Sequence, residues 1–95
     1  MEKFNIRDIN ASAPYNEQEL MLIDLINQCI VTADRYAQNK DILLAENSLN
    51  SAIHYAYALW YMRIVTNSSR ELTYIQKYFD KAYQTILNKE RPYIA

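Results

Sequence analysis

The chain contains no glycine in 95 residues. Glycine supplies the positive-φ positions of tight hairpins, phosphate-binding loops and nucleophile elbows. Without it, most sheet folds and most nucleotide-binding or hydrolase motifs lose their usual turn. What can be built is helix, joined by turns in which asparagine takes the left-handed conformation.

The helices are legible from spacing. Asn16 is placed to cap the first, with Glu19 three residues on completing a capping box and Pro14 marking the boundary. From there Ile23, Ile26, Ile30, Ala33 and Ala37 recur at intervals of three and four. Leu22, Leu25 and Cys29 widen that face. Asn39 is predicted as the left-handed residue after this helix, and Asp41 as the cap of the next. The second helix carries Ile42, Ala45, Leu49, Ala52, Ala56 and Leu59 as a heptad seam rich in alanine, which permits close helix approach. Asn67 repeats the role of Asn39, and Ser68 with Glu71 repeats the capping box. The third helix shows Leu72, Ile75, Phe79, Ala82 and Ile86 on one stripe. Lys89 and Arg91 near its end complement the macrodipole before Pro92 stops it.

The fold class is therefore all-α, an antiparallel up-down-up three-helix bundle with helices over about 16–38, 41–66 and 68–90. Residues 16–95 form the single domain. Residues 1–15 hold Phe4, Ile6 and Ile9 among polar residues, too few for an element of their own. They are read as an N-terminal arm, either loose or folded over a groove.

Bulk composition narrows the function. At 51% hydrophobic and 22% charged the chain is too apolar for disorder, and its net charge of −1 gives no field that selects nucleic acid or an anionic membrane. No apolar run approaches bilayer length. The single Cys29 fits a reducing compartment, so a cytoplasmic location is expected. Abundant Ile, Asn and Tyr suit an AT-rich bacterial, phage or mobile-element genome.

His54 is the only histidine, and no acid or oxyanion donor is placed to work with it. Cys29 reads as packing on the edge of the first helix. No catalytic residue, metal ligand or cofactor is assigned, and the chain is not expected to be an enzyme. The tyrosines point elsewhere: six of nine fall between Tyr55 and Tyr83. With the alanine seam inward, His54, Tyr57, Tyr61 and Ile64 line the other side of helix two. Such an aromatic flank with polar tips suits a protein interface. Trp60 is assigned to the edge of the core.

Arg70, Tyr74, Lys77 and Lys81 share an outer face of helix three, where residues 68–91 hold five basic against three acidic side chains, net +2. Basic and aromatic residues together can hold single-stranded nucleic acid. So short a pattern is more often a solvated helix face or a contact for an acidic partner, which makes nucleic acid the alternative and not the main reading. The expectation is a small helical protein-protein interaction module of regulatory, adaptor, co-chaperone or inhibitor type, whose partner the sequence does not name. A homodimer through the Tyr57, Tyr61 and Ile64 side is expected as well.

Overall fold

The computed structural model describes residues 1–6, 14–62 and 69–92. It is all-helical, with α1 at Glu17–Gln38, α2 at Ile42–Met62 and α3 at Ser69–Ala82, the last continued by a π-helical turn at Tyr83–Leu87. Together they form a three-helix bundle of 41 × 27 × 20 Å. The predicted extension of helix two past Met62, the Asn67 turn, the Ser68 cap and Ile9 lie outside the described residues.

The start of α1 follows its sequence. Asn16 Oδ1 accepts from the Glu19 amide at 2.8 Å and Glu19 Oε1 accepts from the Asn16 amide at 3.0 Å, so two amides that the helix cannot satisfy are paired reciprocally. The end of α1 differs from expectation by one residue. Asn39 keeps φ near −84°, and Lys40 takes the left-handed conformation at φ 64°. The Lys40 amide reaches Ala37 O and the Asp41 amide reaches Tyr36 O, the paired bonds of a Schellman turn. That pattern fixes the left-handed residue by its distance from the last helical turn, and α1 holds on through Gln38, so the position falls to lysine.

Ile23, Ile26, Ile30 and Ala33 of α1 are buried against Ala45, Leu49, Ala52, Ala56 and Leu59 of α2, as the two seams require. Ile42, assigned to the head of the α2 seam, is instead exposed in the first turn of that helix, at the tip of the hairpin. The α1–α2 hairpin is the main packed unit. α3 lies on α2, and α1 approaches the third helical segment only at the π turn.

That geometry opens a wedge between the early parts of α1 and α3, and the N-terminal arm fills it. Phe4 and Ile6 are wholly buried. The Phe4 ring stands edge-on to Tyr78 at 5.3 Å and beside Tyr74 and Phe79 at 5.6 and 5.8 Å. Its backbone is held as in a strand: the Phe4 amide donates to Asn27 Oδ1 at 2.9 Å, and Asn27 Nδ2 donates to Phe4 O at 3.2 Å. The Asn5 amide donates to Tyr74 OH, and Tyr78 OH donates to Glu2 O at 2.7 Å. Of the two fates considered for the arm, residues 1–6 take the packed one.

The buried stripe of α3 departs from its predicted membership for two reasons. The arm extends it sideways to Tyr78, while Leu72 is only half-buried. The π turn then adds a residue per turn, so the inward phase slips from Ile86 to Tyr83 and Leu87. The helix ends earlier than residue 90, at a left-handed Asn88 with φ 54°. Lys89 and Arg91 therefore leave the helix end and pair elsewhere: Lys89 Nζ with Glu46 Oε2 at 2.6 Å, and Arg91 Nε with Asp80 Oδ1 at 2.8 Å.

Two outcomes test this architecture. Phe4→Ala should cost about 3 kcal/mol in urea-induced unfolding, as deletion of a buried aromatic does. A value near zero would mean that the arm contributes nothing to the bundle. Lys40→Gly should raise stability by about 0.5–1 kcal/mol, because the left-handed backbone penalises a residue with a Cβ.

Candidate protein-binding surface

Each flank residue of α2 is placed by its helical phase. The seam Ala45, Leu49, Ala52, Ala56 and Leu59 points inward, which turns His54 and Tyr61 to solvent. Tyr61 is 66% exposed and meets Trp60 edge-on at 5.4 Å. Tyr57 leans to the side, half-buried against the core beside Ile53 and Trp60. Trp60 thus takes its expected place at the core edge. Ile64 lies outside the described residues. The line read from the sequence is therefore divided among the described residues, with His54 and Tyr61 facing out and Tyr57 facing α3.

Between α2, α3 and the C-terminal segment, His54 and Tyr57 border a cleft of about 420 Å³ with Asn50, Ile53, Gln76 and Arg91. Below it Tyr83 OH donates to Asn50 Oδ1, which anchors the π turn to α2. Cys29 is not part of this cleft. It is half-buried on α1, and burial pushes its thiol pKa up, which keeps the thiolate scarce. Among the described residues no three His, Cys, Asp or Glu side chains gather as a metal site, and no helix is long and apolar enough to cross a membrane.

On α3, Arg70, Lys77 and Lys81 are exposed. Tyr74 shares their face but not their freedom, because its ring packs on Phe4 and its hydroxyl accepts from the Asn5 amide. The aromatic member of the basic face is thereby committed to the arm.

An apolar groove lies where the sequence suggested buried surface. Leu22 and Cys29 are half-buried and Leu25 is exposed, because the α1–α2 seams are centred one residue away and nothing described covers this edge. Leu22, Leu25 and Met21, the last 70% exposed, join Met62 of α2, 52% exposed, around a groove of about 460 Å³. Leu43 adds a further exposed side chain near the hairpin tip. The signal for this surface was present in the width of the α1 apolar face, which exceeds what one neighbouring helix can bury.

Compared with known proteins, the chain matches no family model, no curated protein and no solved structure.

Burial also acts on two tyrosines that no surface role can use. The pKa values of Tyr78 and Tyr83 are pushed above the usual 10.0, chiefly by desolvation. Tyr74 and Glu2 add to this at Tyr78; at Tyr83 Glu46 adds to it, whereas the Asn50 hydrogen bond and Arg91 oppose it. The fold thus favours the neutral phenols. Their contribution is fully present below pH 10 and is lost as pH rises, because the unfolded chain ionises first. Stability measured by thermal melting should be flat across neutral pH and fall above pH 10, and Tyr78→Phe should make that alkaline limb shallower. An unchanged limb in this variant would contradict the burial of the Tyr78 hydroxyl.

Proposed function

We propose that this chain is a small non-enzymatic helical module that acts by binding protein, itself included, in a regulatory, adaptor, co-chaperone or inhibitor role. The observation that carries the reading is the apolar groove left open on the α1–α2 hairpin, where Met21, Leu22, Leu25 and Met62 come together. Isolated exposed apolar residues are ordinary, but several gathered along one helix pair are characteristic of contact surfaces. Catalysis has little to build on, with a half-buried thiol whose pKa burial pushes up and a solvent-facing histidine that share no cleft. The flank on α2 adds His54 and Tyr61 as further solvent-facing side chains outside this groove, while Tyr57 serves the interior more than the exterior.

Nucleic acid remains the alternative, supported by Arg70, Lys77 and Lys81 standing exposed on one side of α3. Against it stands the engagement of Tyr74 by the arm, which removes the stacking platform that single-strand binding uses.

A photoreactive amino acid placed in turn at Met21, Tyr61 and Lys81, in cells expressing the chain, separates these readings. Protein adducts at Met21 or Tyr61, with none at Lys81, are the expected result. Nucleic-acid adducts at Lys81, together with gel retardation that weakens on Lys77→Ala with Lys81→Ala and at raised salt, would overturn the reading.

A further inference from the structure

α1 and α2 each carry a second stripe, one residue behind the buried one. On α1 it runs through Gln18, Leu22, Leu25, Cys29, Thr32 and Tyr36. On α2 it runs through Leu44, Ser48, Ser51, Tyr55, Ala58 and Met62. Both keep intervals of four and three without a break, the same heptad as the inner seams. The inner seams are used up by the hairpin and α3. The second pair lies on the other edge of α1 from Asn27, away from the arm, and the groove shared by Leu22, Leu25 and Met62 joins the two stripes there.

Neither stripe contains a single Asp, Glu, Lys or Arg, although α1 holds Glu17, Asp24, Asp34 and Arg35 on its remaining sides. We propose that this uncharged face of the α1–α2 hairpin binds a second copy of the same chain. Hairpin then packs on hairpin into a four-helix core, with α3 and the arm on the outside of each half. The inference rests on the protein-binding reading above and names its partner.

Charge favours this occupant. Across a twofold axis a side chain near the axis meets its own copy, so any charge there would face a like charge. A face without charge is what such a contact requires. An unrelated partner is normally selected by a complementary charge pattern, for which this face offers no counterpart.

Size agrees with charge. A 22-residue helix is about 33 Å long and two packed helices are about 20 Å across, so the face offers on the order of 700 Å². A standard interface uses about 800 Å² per partner. Small residues at the middle, Cys29, Ser48 and Ser51, let facing helices come close. Larger ones toward the ends, Leu22, Leu25 and Met62 at one and Tyr36 with Leu44 at the other, fill the remaining space.

Sedimentation equilibrium of the whole chain, from micromolar to millimolar concentration, should give twice the 11.2 kDa of one copy. Leu25→Glu and Ser51→Glu, each placing a carboxylate in the face, should weaken the dimer by about 100-fold or more. Thr73→Glu, adding the same charge on the outer side of α3, should leave it intact. Ser51 is already exposed, so its variant keeps the fold, checked by far-ultraviolet circular dichroism, even where Leu25→Glu does not. A monomer at millimolar concentration overturns the proposal, as does a dimer that survives Ser51→Glu. If the monomeric chain still forms photo-adducts with a different protein at Met21, the second-copy assignment falls while the protein-binding reading stands. If it forms none at Met21 or Tyr61, both fall.

Discussion

The close seating of α1 on α2 determines what every other part of the molecule must do. Ala33, Ala45, Ala52 and Ala56 are fully buried between these helices, and side chains this small bring two backbones together without leaving voids. A thin seam gives a tight hairpin but little apolar mass. The mass comes from elsewhere: Phe79 and Tyr83 of the third helical segment, and Phe4 and Ile6 of the arm, are among the largest buried side chains. The aromatic content of the chain is thus in large part compensation for an alanine-lined joint, and Tyr74, Tyr78 and Tyr83 work inside the protein and at its seam with the arm.

A segment of six residues becomes structural by borrowing hydrogen bonds from side chains. Asn27 presents a carboxamide to the Phe4 peptide group in the way a neighbouring strand would, and it is itself tied to Ile23 O at 3.1 Å. Tyr74 and Tyr78 receive and supply the other two backbone bonds. The arm is therefore anchored around its buried Phe4 by side-chain partners for its peptide groups, without forming secondary structure.

The difference between what spacing revealed and what it concealed follows from the kind of signal each feature leaves. Heptad stripes in α1 and α2 and the Asn16–Glu19 box are periodic or local, so they could be read directly from the residues. The arm has no period: nothing adjacent to Phe4 and Ile6 announces that Asn27, Tyr74 and Tyr78 wait for them. The π turn inserts one residue into a repeat, and a sequence continued at regular spacing places Ile86 where Tyr83 and Leu87 lie. The candidate surface suffered from the same sensitivity. A step of one residue moves a side chain by about 100° around a helix, enough to carry Tyr57 toward α3 and to bring Leu25 into solvent.

The bond from Tyr78 to Glu2 closes a sequence separation of 76 residues. Phe4 and Ile6 can reach their final seat only after the chain through Phe79 has left the ribosome, since Tyr78 and Phe79 form one wall of that seat. A nascent chain carrying just the α1–α2 hairpin has to wait with Phe4 and Ile6 unsheltered. Such a long loop is closed late and at an entropic cost, which makes docking of the amino-terminal arm the natural last act of assembly in an otherwise locally connected molecule.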